Sequence, residues 1–186
     1  GLGEILKAYI TDCHRHLRPA TVTRYAYTLD MFQRWLKAHV GPRRAGEPSV
    51  LTQKLLGDWF DALDSASWDG KKRAIATCRK AVEVVQKAWA WAYGQDEYDR
   101  QVPQPKTIRC RQATGTPTVA PTWAEMDAVI AVANEHQRRL VVMLRFTGLR
   151  VQQAMGLRWS DVDLRKGTLT IRGELGKSRH ERQGRM

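Results

Sequence analysis

Cysteine is scarce in this sequence. Cys13, Cys78 and Cys110 are its three cysteines, widely spaced, odd in number and without a C-x-x-C pair, which argues against a disulfide framework and for a reducing compartment. Cys13, His14 and His16 stand close together. Neighbours on a helix point in diverging directions, however, and no second ligand cluster follows, so no metal site is read there and no cofactor is expected. No run of 18 apolar residues occurs, which leaves no candidate membrane span. The opening GLGEILKAY lacks the basic and apolar regions of a secretory leader, and the default expectation is the cytoplasm. Acid is also in short supply: 19 Asp and Glu face 31 Lys and Arg, a formal net charge of +12.

With 42% hydrophobic and 27% charged residues in 186, the chain has the balance of a globular protein with one sizeable core or two small ones. The basic excess is spread along it: residues 1–113 hold 19 basic and 12 acidic side chains, and residues 114–186 hold 12 and 7. Both halves can therefore face the same polyanion, nucleic acid foremost, the alternative being a basic surface that serves solubility alone.

Apolar periodicity divides the first half into helices. A first runs from Leu2 to about Arg15 and is closed off by Pro19. A second opens at Ala20 or Thr21 and repeats Val22, Tyr25, Leu29, Phe32 and Leu36 at steps of three and four. Gly41, Pro42, Gly46 and Pro48 predict a turn-rich loop. Thr52 is a plausible N-cap for a third helix bearing Leu55, Leu56, Trp59, Phe60 and Leu63. After SASWDG, the stripe Ile75, Cys78, Val82, Val85, Trp89 and Ala92 marks a fourth. A stripe of that length also suits a coiled coil, but its short neighbours favour a compact four-helix domain.

Between Gly94 and Pro121 periodicity stops. Pro103, Pro105 and Pro117 alternate with Arg100, Lys106, Arg109 and Arg111, the composition of an interdomain linker that either tracks phosphates or serves as a solvated tether. Thr122 with Glu125 then has capping-box spacing and starts a helix through Met126, Val129, Ile130 and Ala133. The run LVVMLRF from Leu140 to Phe146 predicts a buried central helix. Thr147 and Gly148 break it, a short helix resumes over Leu149–Leu157, and Trp159–Leu164 reads as a turn. Thr168–Arg172 reads as a strand, with a reversal over Gly173–Gly176 into a second.

Arg150 stands near the start of that short helix. A guanidinium there can present parallel N–H donors to phosphate oxygens, the arrangement needed to stabilise charge that develops during phosphoryl transfer. A helix-capping or ion-paired arginine is the plainer alternative. The string FTGLRVQQAMGLRWSDVDL over Phe146–Leu164, followed by TLTIRG and Gly176-Lys177-Ser178-Arg179, resembles the first catalytic box of the tyrosine recombinases, the phage-integrase family of site-specific DNA recombinases. The four-helix pattern and basic linker resemble that family's core-binding domain.

The resemblance implies a mainly α protein. Its first part is a four-helix SAM-like core-binding domain over residues 1–98, joined by a basic linker at 99–120 to the opening portion, 121–186, of an α+β catalytic domain with a short antiparallel β-hairpin. It implies Arg150 as the first catalytic arginine and Lys177 as general acid toward the departing 5′ hydroxyl. That lysine needs a pKa below the usual value of about 10.4, with Arg172, Arg179 and Arg182 as the nearby cations that lower it. Double-stranded DNA is the implied partner, bound by a homo-tetramer in a full-length protein, with no metal or nucleotide. Arg24, Lys71, Lys72, Arg73 and Arg79, with Lys106, Arg109 and Arg111 of the linker, are the expected DNA contacts, mostly to phosphates.

Two departures qualify the resemblance. Gln153 stands where the family usually has an acid, and an amide can hydrogen-bond but cannot neutralise. The family's His-x-x-Arg pair and nucleophilic tyrosine lie beyond Met186, so the chain as given is expected to bind DNA without cutting it. The competing readings are a non-catalytic DNA-binding regulator on the same scaffold and a helical protein-interaction module.

Overall fold

Prolines and hydroxyl caps set the helix starts in the first half of the molecule. In the computed structural model, residues 1–98, 100–112, 119–175 and 182–185 are described, the last group by its backbone alone. Helix α1 (Leu2–His16) is followed by α2 (Pro19–Val40), which begins on a proline whose fixed φ and missing N–H suit a first helical turn. The expected loop after α2 is partly helical. Pro42 opens the single turn α3 (Pro42–Ala45) and Pro48 opens a 3₁₀ turn (Pro48–Val50), each at the position where proline favours a helix start. Thr52 caps α4 (Gln53–Asp64), its hydroxyl accepting from the Leu55 N–H at 3.1 Å. The longest apolar stripe forms α5 (Ile75–Tyr93).

These helices bury one core. Val22, Tyr25, Leu29, Phe32 and Leu36 of α2 meet Leu56, Trp59 and Leu63 of α4 and Cys78, Val82, Val85 and Trp89 of α5, all buried. The Phe32 ring sets its edge against Trp59, with 4.9 Å between centroids. Taking one such large side chain out of water contributes roughly 3 kcal/mol. Arg73 of the loop before α5 is held by Asp69, by the Lys71 carbonyl at 2.9 Å and by Met31 Sδ at 3.8 Å. The Asp69 carboxyl is held down at about 2, chiefly by its hydrogen bond from Arg73.

The proline-rich stretch after α5 is not a solvated tether. Val102 is buried in the core, and Tyr98, Ile108 and Cys110 pack against it. The Trp89 indole N–H donates to the Pro103 carbonyl at 2.6 Å, Gln53 Nε2 donates to the Thr107 carbonyl at 3.0 Å, and Arg111 pairs with Asp64 at 2.8 Å. An extended backbone has no helical partners for its carbonyls, and here side chains of α4 and α5 satisfy them. The first compact unit accordingly runs over Gly1–Gly115.

The second unit, Thr116–Met186, starts with α6 (Trp123–Val132), capped as its sequence indicates: the Thr122 N–H reaches Glu125 at 2.7 Å and the Glu125 N–H reaches the Thr122 hydroxyl at 3.3 Å. Helix α7 (Glu135–Thr147) has a second such box, formed by Asn134 and Gln137. The expected burial of LVVMLRF is corrected. Only Leu140 and Leu144 turn toward the small cluster of Leu149, Ala154 and Leu169, while Met143 and Phe146 stay 38% and 69% exposed. An apolar run is buried all round only where neighbours cover every side, and the described residues cover one.

Helix α8 (Val151–Met155) leads to a 3₁₀ turn (Trp159–Asp161), so the segment read as a turn also carries the two-residue strand β1 (Val162–Asp163). Asp163 Oδ1 accepts from the N–H groups of Arg165 and Lys166, both at 3.0 Å, and Gly167 takes a φ of +62° to reverse the chain. Strand β2 (Thr168–Ile171) pairs antiparallel with β1 and with β3 (Arg182–Arg185), in the order β1-β2-β3, with Leu169 opposite both Val162 and Gly184.

Candidate nucleic-acid interface and phosphate-binding segment

Local chemistry places Arg150. Helix α7 ends on Gly148 in the left-handed conformation, φ +63°, with its N–H on the Leu144 carbonyl. This is a C-cap that disfavours any residue bearing a Cβ. Thr147 secures the turn on both sides: its hydroxyl donates to the Met143 carbonyl at 2.6 Å and accepts from the Leu149 N–H at 3.3 Å. Leu149 is buried, so the chain emerges with Arg150 exposed at the N-cap of α8. Among the described residues no hydrogen bond or ion pair engages the Arg150 guanidinium.

Gln153 is buried, and its Oε1 accepts from the Arg150 backbone N–H at 3.0 Å. The amide thus fixes the backbone from which Arg150 projects. This is half of a capping box, and the Arg-x-x-Gln spacing was its sequence signal.

Arg172 supports the same corner rather than standing free as a field-setting cation. Its Nη2 donates to the Gly156 carbonyl, where α8 ends, at 2.6 Å; its Nε donates to Asp161 at 3.1 Å, and its Nη1 to Glu174. Asp161 also accepts from the Arg158 N–H at 2.9 Å. These bonds, the Arg158 N–H first, hold its carboxyl below the ordinary aspartate range. One guanidinium therefore joins the end of α8, the 3₁₀ turn and the end of β2. Lys177 and Arg179 lie outside the described residues, and Arg182 is described by its backbone only.

In the first unit the cations sort into two groups. Arg73 and Arg111 are held by Asp69 and Asp64. Lys71 and Lys72 are exposed in the loop before α5, Arg79 is half-buried on α5, and Lys106 and Arg109 are exposed in the stretch that packs along α5. Helices α2 and α5 run antiparallel. Met31, late in α2, meets Arg73 just before α5, whereas Tyr25, early in α2, accepts a hydrogen bond from Lys87 Nζ, late in α5, at 3.2 Å.

Two cations flank the Tyr25 ring, Arg24 at 5.8 Å and Lys87 at 5.7 Å. Lys87 also lines a groove of about 300 Å³ together with Lys106 and Glu83. Lys80 shares the Lys87 side of α5, seven residues earlier. Tyr27, one turn on from Arg24, is 61% exposed. The result is a basic strip of Arg24, Lys80, Lys87 and Lys106, with the exposed Tyr27 beside Arg24 at its edge. Lys80 and Lys87 were absent from the sequence-derived contacts. Their signal was their position outside the apolar stripe of α5, seven residues apart.

Residues 122–186 match the model of the phage integrase family. That span holds the FTGLR turn, the α8 corner and the three-stranded sheet. This segment of the second unit is thus similar to the phage integrase family. The basic strip of the first unit lies outside the residues matched to the integrase family. Among solved structures, the crystal structure of XerA recombinase is similar over 100% of this chain at 20% identity, with a TM-score of 0.37. The chain spans 60% of that recombinase's length. No curated protein matches it.

Proposed function

We propose that the chain grips double-stranded DNA through the α2–α5 strip and serves site-specific recombination or integration, with Arg150 holding the phosphate at which strands are exchanged. The observation that carries this reading is the convergence of Arg24, Lys87 and Lys106 from three separate segments on one surface, in a chain whose residues 122–186 match the integrase family. Clustered cations that like charge pushes apart need a polyanion to offset them. Lys71, Lys72, Arg79 and Arg109 extend the reach of the strip to further phosphates.

At the strand-exchange site the chemistry is transfer of a phosphodiester. A guanidinium offers two parallel donors to the non-bridging oxygens, and its hold tightens as charge grows on them. Arg150 is exposed for that task, its backbone fixed by the Gln153 cap and its helix tied to β2 through Arg172. In this reading Lys177 protonates the leaving 5′ oxygen, and copies of the full-length protein act together as a tetramer on DNA.

The test is fluorescence anisotropy of a labelled duplex across a salt series. The logarithm of affinity should fall linearly with the logarithm of salt, with a slope of about −0.9 for each phosphate neutralised. A flat salt response removes the DNA-binding reading.

A further inference from the structure

The first unit buries nearly all of its large apolar side chains, and Tyr27 of α2 is the clearest exception. At 61% it is the most exposed of them among the described residues of that unit, and no other described ring packs on it. Arg24, three positions earlier, and Met31, four later, share its side of the helix. Arg24 is exposed and lies with Lys87 at the Tyr25 ring. Met31 meets Arg73, which follows the exposed Lys71 and Lys72. Tyr27 therefore stands between two cationic groups whose anchor points on α2 are about 10 Å apart at 1.5 Å of rise per residue. The nearest acid on α2, Asp30, is engaged by Arg34 at 3.0 Å.

Phosphates can use the cations on both sides of Tyr27 but gain little from its ring carbons. The spacing of the two groups approaches the width of the DNA major groove, about 12 Å, which admits an α-helix. A helix whose flanking cations hold the two phosphate tracks turns the residue between them toward the base edges. On those edges the apolar feature is the thymine 5-methyl group, and an exposed ring gains by covering it. The hydroxyl offers a second use, donation to a phosphate oxygen, and that use needs the oxygen rather than the ring.

We propose that Tyr27 is a specificity-determining residue, its ring set against a thymine methyl in the major groove while the cations on either side hold phosphates. The inference rests on the DNA-binding reading and adds to it a contact that distinguishes one sequence from another. The cations position the duplex without reading it, since every base pair carries the same phosphates. A ring contact displaces no counterion, so its contribution persists at high salt where that of the cations fades.

Fluorescence anisotropy of the full chain on two labelled duplexes tests it. One has alternating A·T pairs, so that every register offers methyl groups; the other has uracil in place of each thymine, which removes the methyls and leaves charge and pairing intact. The wild type should bind the thymine duplex about 4-fold more tightly, the scale of one methyl group taken out of water. Tyr27→Ala should bind the two duplexes alike, with the salt slope of the wild type, whereas Tyr27→Phe should keep the preference. Tyr27 is exposed, and far-UV circular dichroism shows whether each variant keeps the wild-type fold. A wild type that binds both duplexes equally, or a Tyr27→Ala chain that still prefers thymine, overturns the proposal. So does a Tyr27→Phe chain without the preference, which assigns the residue to a phosphate through its hydroxyl. A flat salt response on the thymine duplex marks failure of the DNA-binding reading itself, whereas a normal slope with equal affinities marks failure of this inference alone.

Discussion

Replacing Trp89 by alanine is expected to lower the melting temperature of the first unit by roughly 15 °C or more, the largest stability effect of any single change considered. Trp89 is 2% exposed, and truncating a buried aromatic to alanine costs about 3–5 kcal/mol. Each kcal/mol lowers the melting point by about 4–8 °C in a domain of roughly 100 residues or fewer. The indole N–H also anchors the Pro103 carbonyl, so the change releases the proline-rich stretch. Trp89→Phe separates the two contributions. It keeps most of the apolar burial and gives up the part-buried hydrogen bond, a loss of about 0.5–1.5 kcal/mol. Thermal denaturation followed by circular dichroism measures both variants, and limited proteolysis reads the accessibility of residues 94–112. A Trp89→Phe chain cleaved no faster there than wild type contradicts the anchoring role.

The second large effect concerns binding. Changing Arg24 and Lys87 together to alanine should weaken duplex binding by on the order of 60-fold at 0.1 M salt and make the salt slope shallower by about 1.8. Both figures follow from 0.9 log units per phosphate contact, with the electrostatic part taken to vanish near 1 M. Stability should fall by about 1–3 kcal/mol, less than for Trp89→Ala. Both side chains are exposed, and the Lys87 hydrogen bond to Tyr25 and the two cation–π contacts are partly wet, each a matter of about 0.5–1 kcal/mol. The matched control removes Arg43 and Arg44, the same charge from α3. Equal losses from the two double variants mean that overall charge, not this strip, governs binding.

The helical core of the first unit was largely legible in the sequence because its signal is periodic. Val22, Tyr25, Leu29, Phe32 and Leu36 repeat on one face of α2, as Cys78, Val82, Val85 and Trp89 do on α5, and each is buried. The caps at Thr52 and Thr122 were readable for a related reason, since a hydroxyl before an apolar run has few other uses in the backbone. The packing of Tyr98 and residues 100–111 left no such trace. Its contacts run through the Pro103 and Thr107 carbonyls and through the isolated Val102, and neither main-chain oxygens nor single apolar residues form a pattern.

Candidate site residues were legible by type and less so by role. Arg73 and Arg111 look like any other cation until Asp69 and Asp64 are seen to hold them. The basic strip depends on α2 and α5 running antiparallel, which puts Lys87 beside Arg24 although 62 positions separate Lys87 from Tyr25. Gln153 reads as a missing charge in the sequence and proves to be a cap in the structure. In the second unit, the apolar run of α7 predicts burial that the helix does not reach: the side that meets Leu149 and Leu169 is half-buried, and its far side stays open at Phe146.

Residue-resolved amide shifts of the full ¹⁵N-labelled chain, followed by NMR as a short duplex is added, test the central claim most directly. The account predicts that the perturbed amides cluster on α2 around Arg24 and Tyr27, on α5 around Lys80 and Lys87, and at Lys106, with α3 and α4 left unmoved. Perturbation centred on α3 and α4, or spread evenly over the surface, contradicts it.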